Sequence, residues 1–515
     1  MKLLKRLTLP GSADRATPRL VGGTCGFWSG NHKPQVGRKR LLGPALQRPP
    51  RSRAVLVLAS TGLLLLATAA ISAAEKRPLQ EQALEYFIDL LKVDTSNPPG
   101  NETRVARYLK QVCDREGIPG ELLGAEPDRL NFVARLKGAG TDRPLLLMAH
   151  SDVVPAERSQ WSVDPFAAVI KDGYVWGRGA QDTKALLAAE LAVMVELIRS
   201  GVKLKRDVIF LSEADEEAGS TGIQWLIANA WHKIEAEFAL NEGGFANRLA
   251  AGKILFNIQT SEKIPTRMKL VARGTAGHGS LPRQDNPVVH LAQAIVRLAA
   301  AEQPIRLNST TREYFRELAK LPEYKKLAPA FRQLESHAQA NAARRRIAPQ
   351  HAMLAAMLST TVSPTMTQAG IKVNVIPTVA EAQVDVRRLP DETAEEVLER
   401  FRKIIDDPVV KVGPLRGTEQ EMPATEPSSR TSPLYRAMEE VLGAEPDRLA
   451  VLPIMQLGAT DGSFLRARGM GVYGIPLFPT PVEERRAHGN DERMALDSFS
   501  RGVRLLREVV RRVAE

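Results

Sequence analysis

Three short apolar segments of this chain are each followed at once by a side chain that can bind a metal ion. The segments are 145–149, 208–212 and 238–241, followed by His150, by the acidic segment 213–217 and by Glu242. Short apolar runs between turn signals are typical of strands buried in a parallel sheet. Helical patterns alternate with them, so the sequence predicts an α/β domain with a mainly parallel sheet. In such sheets sites form at the carboxyl ends of strands, where these side chains are expected to meet.

The pattern changes near residue 262. A strand and a helix are followed by two strands, expected at 371–376 and 380–387, and by a further helix. This order is that of a split β-α-β motif and predicts an inserted α+β, ferredoxin-like domain. A charged, helix-prone insert at 303–357 interrupts it. The expected segments are a catalytic domain at 78–261 and 414–515 and a lid domain at 262–413.

The net charge of +12 does not indicate a nucleic-acid partner. Residues 1–53 hold 12 Lys or Arg against one acid, Asp14, so nearly all of the excess lies in this segment. The rest of the chain is close to neutral and carries no nucleic-acid-binding motif. A basic nucleic-acid-binding face is therefore excluded.

An uncharged apolar stretch at 54–74 follows the basic segment. A positive flank, an apolar stretch and small residues at its end (Ser72, Ala73 and Ala74) are typical of a secretory signal peptide. We therefore expect residues 1–75 to be a leader and the protein to be exported, periplasmic or secreted. The alternative is a membrane anchor, because the stretch is almost long enough to span a bilayer.

Two further side chains extend the set of potential metal ligands. Asp182 lies in the glycine-containing segment 177–184, just before a long helix, and His488 lies in the polar segment 487–493. Taken singly, an acid near a helix N-terminus or a histidine in a loop has an ordinary structural explanation. Together, His, Asp and Glu side chains form a set that suits zinc. The sequence therefore predicts a metal site.

In chain order, these residues form motifs of a known family. The motifs are His150-x-Asp152, Gly177-Arg-Gly-x-x-Asp182-x-Lys184, Asp215-Glu-Glu217, Asn241-Glu-Gly-Gly244 and His488-Gly. As a set they resemble the zinc peptidases that include aminoacylase, glutamate carboxypeptidase, acetylornithine deacetylase and succinyl-diaminopimelate desuccinylase. The resemblance extends from about residue 78 to the C-terminus.

The resemblance implies a centre with two zinc ions, for which cobalt or manganese could substitute. Asp182 would bridge the two ions. His150 and Glu242 would complete one site, and Glu217 and His488 the other. Two adjacent cations lower the pKa of a bridging water, which suits hydrolysis.

The resemblance also implies roles for five residues around the metals. Glu216 would be the general base, and Asp152 would orient the nearest histidine ligand. His278 would reach the active site of a neighbouring subunit and stabilise the oxyanion, which implies a homodimer formed through the lid. Asn374 and Arg387 would hold the substrate's carboxylate, a task that suits the planar guanidinium.

The resemblance thus implies a di-zinc metallohydrolase that cleaves an amide bond next to a free carboxylate. An exopeptidase, either a carboxypeptidase or a dipeptidase, is the first expectation, and an N-acyl-amino-acid amidohydrolase is the alternative. The substrate is then a small peptide or an N-acyl amino acid. A membrane-anchored binding protein without catalysis is a third possibility, but such a protein needs no base like Glu216 beside a metal ligand. We expect the insert at 303–357 to shape an apolar acyl pocket.

Overall fold

A computed structural model describes residues 78–415 and 422–515. The predicted leader at 1–75, with its apolar stretch at 54–74, lies outside the described residues. No helix within the described ranges is long and apolar enough to cross a membrane.

A nine-stranded sheet forms the larger part of the structure. Its strands are β1 (Gly120–Leu123), β2 (Asn131–Leu136), β3 (Leu145–His150), β6 (Val208–Glu213), β7 (Phe238–Asn241), β8 (Phe245–Arg248), β9 (Ile254–Glu262), β17 (Arg448–Gln456) and β18 (Gly471–Gly474). They lie in the order β1-β2-β6-β3-β7-β18-β9-β17, with β8 paired to β9. The central strands β6, β3, β7 and β18 run parallel, whereas β1 and β2 pair antiparallel at one edge. The predicted α/β class is confirmed, with the parallel strands in the middle of the sheet.

Helices cover both faces of this sheet. They are α1 (Leu79–Leu91), α2 (Thr103–Arg115), α3 (Lys184–Ser200), α4 (Thr221–Asn229), α5 (Trp231–Ile234), α12 (Pro433–Gly443), α13 (Gly462–Ala467) and α14 (Leu496–Ala514). Helices α1, α2, α3, α12 and α14 share one apolar core, and α4, α5 and α13 share another. Because both of its faces are covered, every residue of β3 and of β6 is buried, which explains their unbroken apolar sequences.

A smaller antiparallel sheet follows the larger one along the chain. Its elements are β10 (Ile264–Pro265), β11 (Met268–Arg273), β13 (Thr361–Ala369), β15 (Val379–Arg388) and β16 (Val410–Pro414), with helices α6 (Pro287–Ala300) and α11 (Ala394–Ile405). The order β13-β15-β11-β16, with both helices sharing one apolar core with the sheet, is the predicted ferredoxin-like topology. The remaining strands are β4 (Val169–Lys171), β5 (Tyr174–Trp176) and β19 (Arg493–Ala495), which form one small sheet, and β12 (Gly277–His278) and β14 (Val375–Ile376), which form a ribbon.

The predicted strand at 371–376 is wrong in its position. The long strand at this point of the chain is β13, and only the short β14 falls within the predicted segment. Ile371 and Val373 produced the alternating apolar pattern, yet both are fully exposed. An alternation of apolar and polar residues normally indicates a strand with one buried face. Here the apolar side chains are not covered by any other part of the described chain.

The insert at 303–357 is helical, as predicted, but it packs against the larger sheet. Its helices are α7 (Ser309–Leu318), α8 (Ala328–Gln333), α9 (Ala340–Ile347) and α10 (Ala352–Ala356). Phe315 and Phe331 share an apolar core with Leu255 of β9 and Leu452 of β17. The insert therefore extends the core of the larger sheet at its β17 edge.

Helix α3 carries a buried glutamate, Glu190, and burial raises the pKa of its carboxyl group well above the usual range. The folded state therefore keeps the proton of this carboxyl to a higher pH than the unfolded chain, which ionises it above about pH 4.3. Because the folded state binds more protons, stability falls by up to ~1.4 kcal/mol per pH unit above that value. We expect Glu190→Gln, which mimics the neutral acid, to be more stable than wild type at pH 8 and about equal to it at pH 4. Urea denaturation at both pH values measures this, and a pH-independent difference would contradict it.

Candidate active site

The predicted ligands at the ends of parallel strands lie at one edge of the larger sheet. His150 is the last residue of β3, and Glu242 follows directly after β7. Strand β3 pairs in parallel with both β6 and β7, so the carboxyl ends of all three strands are adjacent. Glu213, the last residue of β6, is paired in register with His150.

His150, Asp182 and Glu242 form one group of potential ligands. His150 Nε2 lies 3.1 Å from Oδ1 of Asp182 and 3.6 Å from Oε2 of Glu242. The Nδ1 atom of His150 lies 2.9 Å from the backbone carbonyl oxygen of Asp152. Because a carbonyl oxygen only accepts hydrogen bonds, Nδ1 carries a proton, and Nε2 is the nitrogen that can bind a metal.

Glu217, His488 and Asp182 form a second group. His488 Nε2 lies 3.1 Å from Oδ2 of Asp182 and 3.1 Å from Oε2 of Glu217. The two groups share Asp182, whose Oδ1 faces His150 while its Oδ2 faces His488. All five predicted metal ligands are thus brought together, with Asp182 in the bridging position.

The donor set of these two groups fits two divalent cations. Donors at 2.0–2.2 Å from one ion stand about 3.3 Å apart in a tetrahedron, close to the separations of 3.1 to 3.6 Å in this chain. Hydrogen bonds with Asp182 and Glu217 raise the pKa of His488 to about 10, and burial raises the pKa of Glu242 to about 7. Ligands bind metals in deprotonated form, so cations and protons compete for these side chains.

A tight turn after β6 orients Glu216 and Glu217. Asp215 adopts a left-handed backbone (φ 68°), and its carboxylate accepts hydrogen bonds from the hydroxyl and the N–H of Thr221. Asp152 in turn accepts hydrogen bonds from the backbone N–H groups of Glu216 (3.2 Å) and Glu217 (3.1 Å). Through these contacts Asp152 couples the turn to the end of β3.

Glu492 holds the loop that carries Asp182, and it was not predicted from the sequence. It is fully buried, and it accepts hydrogen bonds from the Arg178 guanidinium (2.6 Å) and from backbone N–H groups of the loop, including that of Asp182 (3.1 Å). The only signal in the sequence was its position four residues after His488.

A polar cavity of about 370 Å³ lies over the ligand groups. Glu216 lines it together with Arg387 and Arg267, two residues of the smaller sheet and its approach. Burial, reinforced by the neighbouring Glu242 carboxylate, raises the pKa of Glu216 well above its usual range. Arg387 lies on the more exposed face of β15, as strand alternation predicts. Arg267 was missed because nothing in its sequence context distinguishes it from a surface arginine.

An apolar cavity of about 260 Å³ adjoins the polar one, and both are lined by Asp182 and Glu242. Its apolar lining residues are Leu186, Phe245, Ile475, Leu477, Phe478 and Met494. Among the described lining residues none comes from the insert at 303–357, so the insert does not itself line this cavity, and its expected role in shaping an acyl pocket stays a prediction. The insert supports the cavity wall indirectly, because Phe245, which lines the cavity, packs against the apolar core of the insert.

His278 and Asn374 lie apart from both cavities. Neither is among the described residues that line them, and both are exposed at the β12–β14 ribbon. The imidazole Nδ1 of His278 is 2.7 Å from the hydroxyl of Ser280, and the carbonyl oxygen of Asn374 accepts a hydrogen bond from the Gly279 N–H (2.8 Å). Within one subunit, therefore, His278 and Asn374 do not reach the cavities beside the metal ligands.

Comparison with known proteins places this geometry in a family. The sequence profile of peptidase family M20/M25/M40 matches residues 146–512, a range that includes all five potential ligands. The chain belongs to this family. The predicted family resemblance and the predicted enzyme class, a hydrolase of the metallopeptidase type, are thereby confirmed.

Curated relatives of this M20 chain include both acylases and a carboxypeptidase-like protein. The human N-fatty-acyl-amino acid synthase/hydrolase PM20D1 is 27% identical over 85% of this chain and 88% of its own length. Pig aminoacylase-1 is 26% identical over 86% and 98%. The probable carboxypeptidase S-like 2 of Dictyostelium discoideum is 26% identical over 70% of each chain.

Solved structures share the fold of this M20 chain. The M20 family metallo-carboxypeptidase Sso-CP2 from Sulfolobus solfataricus has a TM-score of 0.63 and 22% identity, over 84% of this chain and 99% of its own. The dipeptidase Dug1p from Saccharomyces cerevisiae has a TM-score of 0.59 and 17% identity, over 84% and 96%.

Proposed function

We propose that this chain hydrolyses the amide bond of N-acyl amino acids with an apolar acyl group. The observation that carries this proposal is the pair of cavities that meet at Asp182 and Glu242, one apolar and one containing Arg387. An amide bond over the ligand groups would direct its acyl group into the apolar cavity and its free carboxylate towards the guanidinium. The names of the human and pig relatives are consistent with such a substrate.

Exopeptidase activity is the second candidate. The family is named for peptidases, and the Dictyostelium relative is named for a carboxypeptidase. A dipeptide would present the same carboxylate to Arg387 and differs mainly by an ammonium group on the acyl side. The chemistry at the scissile bond would be unchanged, so the two candidates differ only in substrate preference.

Two zinc ions are the proposed metals, because imidazole combined with carboxylates suits zinc. When bound, the ions would polarise the scissile carbonyl and lower the pKa of a water between them. His150, Asp182 and Glu242 would hold one ion, and Asp182, Glu217 and His488 the other.

Side chains of this protein would transfer the proton and bind the substrate's carboxylate. Glu216 would take a proton from the attacking water on one carboxylate oxygen and pass it to the leaving nitrogen. Its raised pKa suits the second transfer, since a carboxyl that holds its proton can act as an acid. Arg387 would bind the substrate's carboxylate through its planar fork and so orient the amide bond.

Matched leucine derivatives test this function. The zinc-loaded full chain is incubated with N-octanoyl-L-leucine, N-octanoyl-L-leucinamide and L-alanyl-L-leucine, and amine release is followed by mass spectrometry. We expect rapid release from the first substrate, slower release from the dipeptide and little from the leucinamide, which lacks the carboxylate. Equal rates for the acid and the amide would contradict the proposed orientation, and release from the dipeptide alone would favour the exopeptidase.

A homodimer is proposed to complete the site. The chain segments at the ribbon that carry His278 and Asn374 also expose three large apolar side chains, those of Leu281, Ile371 and Val373. A second copy of this chain would cover these side chains and could bring His278 and Asn374 to the cavity of its partner.

We expect Val373→Asp to disrupt this contact, because it would bury an unpaired carboxylate in the interface. The chain should elute as a monomer in size-exclusion chromatography with light scattering, and its kcat should fall by about 10-fold or more with the loss of one oxyanion donor. The matched control is Ile170→Asp, since Ile170 is an exposed apolar residue of β4. A Val373→Asp variant that elutes at the wild-type size would contradict the proposed interface.

Export is proposed for the N-terminal segment 1–75, on the order of its basic, apolar and small residues. N-terminal sequencing of the protein from soluble and membrane fractions tests this. A mature end near residue 74 supports cleavage, and an intact segment in the membrane fraction supports an anchor.

A further inference from the structure

The apolar cavity beside the metal ligands contains one arginine, Arg485. Apart from Asp182 and Glu242, which face the histidine ligands, Arg485 is its one charged residue among those described. A cation in a largely apolar wall is costly, because burial disfavours the charged form, and burial lowers the pKa of this guanidinium. The position of Arg485 therefore needs an explanation beyond packing.

The contacts of Arg485 hold it in place without neutralising it. Its guanidinium carbon lies 4.2 Å from the centroid of the Phe245 ring, which is a cation–π contact. Its terminal nitrogen donates a hydrogen bond to the side-chain oxygen of Asn247. Both partners are uncharged, and within residues 78–415 and 422–515 no carboxylate forms an ion pair with Arg485. The positive charge therefore remains available to the cavity.

Phe245 links this arginine to the helical insert. The ring of Phe245 packs against the apolar core that contains Phe315 and Phe331 of the insert. The hydroxyl of Tyr314, a buried residue of the insert, also acts electrostatically on Arg485. The insert thus supports the wall on which the guanidinium rests.

A charge anywhere in this cavity is close to Arg485. A sphere of 260 Å³ is about 8 Å across, no more than the Debye length at physiological ionic strength. Salt therefore screens the interaction only in part, and the partly buried, largely apolar surroundings strengthen it. The guanidinium would repel an ammonium group in the cavity but not an uncharged acyl group, and apart from Asp182 and Glu242, the proposed metal ligands, the other described lining residues are uncharged.

We propose that Arg485 is a specificity-determining residue that selects against substrates with a free α-ammonium group on the acyl side of the scissile amide. This inference rests on the proposed function, because it takes the apolar cavity to be the acyl site. It supplies a physical reason for a preference for N-acyl amino acids over dipeptides. The selection works by repulsion of the wrong substrate rather than by extra contacts with the right one.

The test uses two substrates that differ in one group, N-propanoyl-L-leucine and L-alanyl-L-leucine. The ratio of their kcat/KM values is measured for the zinc-loaded wild type, Arg485→Met and Arg485→Lys. A ratio within one preparation is independent of how much of the enzyme is folded and metal-loaded. The matched control is Arg468→Met, because Arg468 stacks on Trp231 at 5.0 Å and lines neither cavity.

We expect Arg485→Met to reduce the preference for N-propanoyl-L-leucine by at least ~10-fold, and Arg485→Lys and Arg468→Met to leave it within ~3-fold of wild type. An unchanged ratio in an active Arg485→Met enzyme would overturn the role of Arg485 and leave the proposed function intact. Failure of the wild type to release leucine from either substrate would contradict both.

Discussion

We expect Glu216→Gln to reduce kcat by about 10³-fold or more while both metal ions stay bound. A general acid–base group typically contributes ~10²–10⁴-fold to the rate, and this carboxyl has two proposed roles, first as base and then as acid. The glutamine amide cannot accept or return the proton, yet it has the same shape. Glu216 belongs to neither ligand group, so the metal content should not change.

Steady-state kinetics on N-octanoyl-L-leucine and metal analysis of the same preparation measure this. Glu483→Gln is the matched control, because Glu483 is an exposed glutamate that lines neither cavity and belongs to neither ligand group. Two outcomes would count against the assignment. The first is near-normal turnover by Glu216→Gln, which would mean that another group moves the proton. The second is loss of metal from this variant, which would make Glu216 a ligand.

Asp182→Asn is expected to lower the metal content of the chain from two ions to less than one. Asp182 offers one oxygen to each group, 3.1 Å from His150 and 3.1 Å from His488. The substitution replaces one oxygen by a donor that cannot bind a cation and removes the negative charge shared by both ions. Activity should fall by at least ~10³-fold, because the chemistry depends on both ions.

Metal analysis after dialysis measures this result directly, and single-site variants supply the comparison. Glu242→Gln and Glu217→Gln each affect one group, so each should lose one ion and keep the other. A variant Asp182→Asn that retains two ions would show that the carboxylate does not bridge. Equal losses from all three variants would instead indicate that the two ions bind only as a pair.

Several parts of the site were accessible from the sequence because they follow from local rules. The apolar run of β3 predicts a buried strand, and the residue after such a run lies at the carboxyl edge of a parallel sheet. His150 and Glu242 were found in this way. Asp182 and His488 do not follow a strand, so they were candidates by residue type alone until the family motifs supported them.

Other parts depend on contacts between residues far apart in the chain, which no local pattern reports. Asn97 donates hydrogen bonds to Asp152 (2.7 Å) and Asp215 (2.9 Å), although it lies in a loop before α2 that has an ordinary turn sequence. Glu492 holds the Asp182 loop across about 310 residues of chain. Such partners are selected by position in space, and many buried polar contacts are of this kind.

By itself the sequence determined the fold class and the strand ends, because periodicity is a property of neighbouring residues, and its resemblance to a known family identified the set of five potential ligands. Only the tertiary structure decided that the insert packs on the larger sheet, that 371–376 is mostly an exposed ribbon, and that Arg485 lies in the apolar cavity. Burial of an apolar surface or a charge depends on which distant segments cover it, and a local pattern of residues does not contain that information.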